Sequence, residues 1–153
     1  MENKLYVAGM DNGHFLIGQL TAFSNRYQTV ADKFFKDISW KQCFVLICIK
    51  MFEQAPTINE LSEVLGSSRQ NVKQLLIKLE KNGYIEFIKD ETDKRKQRII
   101  RTTKANEFDE NHKEPSGVFM NKFFENIDQD KLKTTIETFV QLEQNLKNME
   151  ELA

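Results

Sequence analysis

The sequence predicts a mainly α protein with one small β-hairpin, and three observations carry that prediction. Residues 57–66 and 67–83 form two short amphipathic segments joined almost without a linker, each opened by a capping-box pattern. Residues 84–89 and 97–102 read as two strands, joined by the charged run 90–96. Apolar stripes of helical period lie on both sides of this block. Helix, tight turn, helix and a charged hairpin is the order of a winged helix-turn-helix. That arrangement places one helix in the DNA major groove and a wing beside it.

The elements follow in order. Residues 15–38 place Leu16, Leu20, Phe23, Tyr27, Val30, Ala31, Phe34 and Ile38 at steps of three and four, which predicts one long helix. Ser39 is an N-cap for a second helix through WKQCFVLICIKMF, apolar on more than one side and therefore expected to be buried. Pro56 ends it, because proline disfavours a helical conformation in Ala55. Thr57 and Glu60 then cap a helix whose buried face is Ile58, Leu61, Val64 and Leu65, with Gly66 as its left-handed stop.

Ser67 with Gln70 is the next capping box, and Val72, Leu75, Leu76 and Leu79 are the apolar face of the helix it opens. Asn82-Gly83 closes that helix. Beyond the hairpin, the polar stretch KANEFDENHKEPSG precedes a helical VFMNKFFENI, with a kink or break expected at Pro115. Asp128 or Asp130 caps a last helix carrying Leu132, Ile136, Phe139, Leu146 and Met149.

With 153 residues, 40% apolar and 29% charged, the chain is expected to be a single domain, 1–153. Within it, residues 39–105 form the DNA-binding lobe, and 11–38 with 106–153 form a helical dimerisation region. The reason for a dimer is that Phe15, Phe23, Phe119, Phe123, Phe124 and Phe139 lie on long amphipathic helices with few surfaces to bury them. Two-fold symmetry would place two recognition helices about one DNA turn apart. No apolar run reaches the roughly 20 residues a membrane span needs. The opening residues lack the pattern of a secretory signal, so a cytoplasmic location is expected.

Charge is unevenly spread. Residues 57–105 hold eleven Lys/Arg against seven Asp/Glu, a balance of +4, while the whole chain stands at −1. A basic middle on an acidic scaffold suits a polyanion partner. Cys43 and Cys48 lie in CFVLIC without metal-site spacing and read as buried, reduced core thiols; the sharper reading is a redox switch.

The residues expected to meet double-stranded DNA follow from the helical wheel. With Val72, Leu75 and Leu79 turned inward, Gln70, Lys73, Gln74, Ile77 and Lys81 face outward, and Ser67, Ser68, Arg69 and Asn71 stand at the helix start. Arg, Gln and Asn can make paired hydrogen bonds to base edges, and Ser hydroxyls suit phosphates. Lys94, Arg95, Lys96, Arg98, Arg101 and Lys104 place six cations within eleven residues on and after the hairpin tip. Arg95 is positioned for the minor groove. Asp93 is expected to accept hydrogen bonds from an arginine and to fix the tip.

At these residues the chain resembles the MarR family of winged-helix regulators. Asp93-Lys94-Arg95-Lys96-Gln97-Arg98 fits that family's wing motif, Asp-x-Arg-x-x-Arg, and LEKNGYI resembles its passage from recognition helix to wing. The resemblance implies a homodimeric transcription factor, usually a repressor, often released by a small aromatic ligand and in some members by cysteine oxidation.

Other classes find less support. His14 and His112 are the only histidines, and neither sits in a cluster with metal or acid–base spacing, so no enzyme, metal or cofactor is expected. His14, at the opening of the first helix, is the one candidate for lining a ligand pocket. A winged helix used only as a protein-interaction module is the alternative, and the cationic wing argues against it.

Overall fold

The computed structural model describes residues 9–150. Its elements run α1 (Asn12–Phe34), α2 (Trp40–Lys50), α3 (Ile58–Val64), α4 (Arg69–Lys81), β1 (Ile85–Lys89), β2 (Gln97–Arg101), α5 (Thr103–Phe123) and α6 (Gln129–Glu150). This is the expected mainly α winged helix-turn-helix. Contacts divide the chain into two compact units, one ending at Phe108 and the other beginning at Asp109.

In the first unit, α1 starts where Asp11 accepts from the backbone N–H groups of Gly13 and His14. It ends at Phe34, short of the expected Ile38. The chain must turn back for α2 to pack. Asp32 accepts the Trp40 N–H at 2.5 Å, and Ser39 caps α2 in a full capping box with Gln42. Trp40 then meets Tyr27 edge-on at 5.0 Å and Phe35 at 6.1 Å. Of the α1 stripe proper, only Ala31 is buried. Helix α2 ends at Lys50, before the expected stop at Pro56.

The core lies under α2, α3 and α4 and the sheet. Val45, Leu46, Cys48, Leu61, Val72, Leu76, Leu79, Ile85 and Ile99 are essentially inaccessible to solvent. Burying a side chain of this size stabilises by about 1.5–3 kcal/mol. Thr57 and Glu60 form the expected capping box, and Gly66 takes φ +55°, a conformation that costs other residues strain.

The two strands pair antiparallel, with Phe87 opposite Ile99. A short bridge between Thr57 and Arg98 adds the α3 entrance to the sheet, and the Ile99 N–H donates to the Pro56 carbonyl at 2.9 Å.

The polar stretch after the hairpin is helical, against expectation, and the helix continues through Pro115 to Phe123 without the break expected there. One missing N–H removes a single bond from a long ladder, and the turns on either side keep theirs. In the second unit, Asn126 adopts φ 63° at the reversal into α6. Asp128, rather than Asp130, caps α6 by accepting from Asp130 and Lys131 at 3.1 Å each.

Candidate nucleic-acid interface

Helix α4 is held from below and open above. Val72, Leu76 and Leu79 are buried and Leu75 is half-buried, while Arg69, Gln70, Asn71, Lys73 and Gln74 are exposed on its remaining surface. Ile77 is also exposed. The N-cap is Ser68, whose hydroxyl accepts from Asn71 N–H at 3.3 Å. The expected Ser67–Gln70 box therefore does not form, and a single cap bond stands one residue on. Gly66 ends α3 and the Ser67 N–H donates back to the Ser62 carbonyl at 3.1 Å, so Ser67 belongs to the turn and is half-buried. Gln70 is thereby left with its side chain free of a capping role.

The wing tip is organised by Asp90, which the sequence reading passed over. One carboxylate oxygen accepts from Thr92 N–H, Thr92 hydroxyl and Asp93 N–H at 2.7–2.8 Å, and the other accepts from the Arg98 guanidinium. Asp90 is buried, and these donors hold its carboxyl far below the usual carboxylate range, the Asp93 N–H contributing most. The run Asp90-Glu91-Thr92-Asp93 was the available signal, since Asp side chains bond their own backbone two residues on.

Asp93 does accept from arginine as expected. Its carboxylate takes the Arg95 backbone N–H and Nε at 3.1 Å, and these bonds lower its pKa. The Arg95 side chain is 91% exposed all the same. Lys94 and Lys96 are exposed beside it.

The remaining cations of the cluster are tied to backbone carbonyls, with Arg98 and Arg101 half-buried and Lys104 exposed. Arg98 also donates to the Ala55 carbonyl at 2.6 Å, tying the wing to the α3 entrance. Arg101 donates to the Leu46 and Ala105 carbonyls at 2.7 and 2.9 Å. Lys104 donates to the Asn82 carbonyl at 2.8 Å and lies over the Tyr84 ring. Spacing alone could not separate these from the solvent-facing cations, because it carries no information on which carbonyls come within reach.

Two clefts flank α4. One, about 440 Å³, lies on the wing side and is lined by Arg69, Arg95, Lys96 and Arg98 with Thr57 and Asn59. Glu60 also borders it. The Thr57 backbone and hydroxyl bonds lower its pKa most, with Arg98 and Lys96 adding to the effect. The other cleft, about 560 Å³, brings Trp40 and Phe44 together with Gln28, Lys41, Asn71 and Gln74.

His14 lines neither cleft. Its ring pairs with Asp11 at the exposed start of α1. Cys43 and Cys48 are buried in the core outside any disulfide, and burial pushes the Cys48 thiol up, away from the reactive thiolate. Among the described residues no group of acidic, histidine and cysteine side chains has the arrangement of a metal site. No described helix is long and apolar enough to cross a membrane.

A family model described as the MarR family matches residues 38–96. No curated protein matches the chain. Among solved structures, a MarR protein from Peptoclostridium difficile is 19% identical with a TM-score of 0.79, each chain covered over 97% of its length. FabT of Streptococcus pneumoniae, solved in complex with DNA, is 23% identical with a TM-score of 0.65, over 90% of this chain and 99% of that one. The S. aureus MepR–DNA complex gives 19% identity and a TM-score of 0.73, over 83% of this chain and 94% of the other. At these identities the likeness establishes a shared fold.

Proposed function

We propose that this chain, whose residues 38–96 match the MarR family model, is a member of that family and a sequence-specific DNA-binding transcriptional regulator. In this reading it is a cytoplasmic homodimer that represses transcription from a palindromic operator. The observation that carries it is the exposed face of α4, where Arg69, Gln70, Asn71, Lys73 and Gln74 stand together beside the exposed Lys94, Arg95 and Lys96 of the wing. Arg, Gln and Asn can pair with base edges in a major groove, and an arginine on the wing suits a narrow minor groove. Ser67 and Ser68 serve phosphates at the helix start. Asp93 and Arg98 act from behind, by holding the wing's shape. That two relatives of this fold were solved with DNA agrees with the reading.

The dimer is supported by α6. This helix of 22 residues buries none of them, and Ile136, Val140, Leu146 and Met149 are each more than half exposed. Most helical stability in proteins comes from packing of an amphipathic face, and a second copy of the same stripe is a simple cover. The effector is supported by the larger cleft. Trp40 and Phe44 stack at 5.8 Å on one wall, and Lys41, Gln28 and Asn71 supply polar partners, which suits a small aromatic acid. A ligand there touches Asn71 and Gln74 of α4, so its binding and DNA binding oppose each other.

The test is a salt titration of affinity for the duplex flanking the protein's own coding sequence, against a scrambled duplex. Selective binding that falls steeply with salt is expected, because neutralised phosphates release counterions. Weak binding that is equal on both duplexes, in a chain that also selects no duplex from a random pool, would overturn the reading in favour of a protein-interaction module.

A further inference from the structure

The C-terminal end of α4 is gripped by the start of α5 in a way that the DNA-contact reading does not use. Asn82, Gly83 and Tyr84 follow α4 directly, and each of their backbone carbonyls accepts a hydrogen bond from Thr102 or Lys104. The Lys104 amine donates to Asn82 at 2.8 Å, the Thr102 hydroxyl to Gly83 at 2.7 Å, and the Thr102 N–H to Tyr84 at 3.1 Å. The Lys104 amine also lies 4.7 Å from the centre of the Tyr84 ring. A cation here faces the negative end of the helix dipole.

The gripping segment is itself anchored. Ala105 and Phe108 are buried, Phe108 packs edge-on against Tyr84 at 5.7 Å, and Arg101 joins the Leu46 carbonyl of α2 to the Ala105 carbonyl of α5. A tilt of α4 that carries Asn82 away from α5 strains the Lys104–Asn82 bond. Its thirteen residues put that end about 20 Å from the exposed Arg69, Gln70 and Asn71. A small tilt at the grip therefore becomes a larger displacement at the base-reading end.

We propose that Lys104 is a positioning residue for the recognition helix, setting its angle without touching DNA. The inference rests on the DNA-binding reading above. It also reassigns a lysine that charge clustering alone would count among the phosphate contacts.

Lys104→Met keeps an unbranched side chain and loses the hydrogen bond and charge, while Lys104→Arg keeps both. Lys104 is solvent-exposed, so both variants should fold, which a far-UV circular dichroism melt verifies. Affinities are measured over a range of salt for the duplex that the parent chain selects from a random pool, and for its scramble. Lys104→Met is expected to bind the selected duplex about tenfold more weakly, comparable to losing one base-edge contact. Its affinity for the scramble and its salt slope should stay those of the parent, because non-specific binding depends on phosphates alone. Lys104→Arg should lie within about twofold of the parent.

Equal affinity of parent and Lys104→Met for the selected duplex overturns the proposal. So does an equal loss on both duplexes with a salt slope lower by about 0.9, the mark of a phosphate contact. A parent chain that selects no duplex instead removes the DNA-binding reading, and this inference falls with it.

Discussion

The Arg98 guanidinium and the Asp90 carboxylate form an ion pair across the base of the wing, and both partners are largely withdrawn from solvent. Asp90 in turn shapes the tip through Thr92 and Asp93, and Arg98 reaches the Ala55 carbonyl before α3. The wing is thus braced from within, which leaves Arg95 exposed on a fixed support.

This bracing has a pH signature. The folded-state pKa of Asp90 lies below its unfolded value, so its contribution is fully present above about pH 4 and is lost as pH falls from there toward the folded value. Asp93 and Glu60 shift in the same direction. Urea midpoints measured at falling pH should decline for the parent below about pH 4 and less steeply for Asp90→Asn. At neutral pH, Asp90→Asn should lower the melting temperature more than Asp93→Asn, since Asp90 holds the greater number of donors. Equal effects of the two variants would contradict the central role of Asp90.

The two serines before α4 should separate cleanly. Ser68 is the observed cap, and Ser68→Ala is expected to cost about 1 kcal/mol of stability. Ser67 lies in the turn, and Ser67→Ala should cost less than about 0.5 kcal/mol. Chemical denaturation of the two variants decides the order.

Pro115 lies inside a helix that runs through it, so its missing N–H remains a defect. Pro115→Ala restores that donor and should stabilise the protein by about 1–2 kcal/mol, the helix gain being partly offset by a freer unfolded chain. A rise in melting temperature is the expected observation. No change would mean that the ladder around Asn111 is already satisfied in another way.

For DNA, Arg95→Ala should weaken binding to all sequences and lower the salt slope by about 0.9, as one lost phosphate-proximal cation requires. Asn71→Ala and Gln70→Ala should instead lose about 1–3 kcal/mol of discrimination between sites, with little change in slope. Competition assays with the selected and scrambled duplexes distinguish the two patterns. Unchanged affinity in all three variants would remove the assignment of this face.

The sequence by itself determined the order of elements, the Thr57–Glu60 and Ser39 caps, the Gly66 stop and the exposed face of α4. These depend on local backbone chemistry and on helical period, both of which are written along the chain. Tertiary structure decided what locality does not encode. It set Arg98, Arg101 and Lys104 against the carbonyls of Ala55, Leu46, Ala105 and Asn82, because only packing brings those groups within reach. It ended α1 at Phe34 so that Trp40 could return onto Tyr27, and it carried α5 through Pro115. Six cations that look alike in sequence therefore fall into two groups, and the difference between them is the distance to a carbonyl that lies far away along the chain.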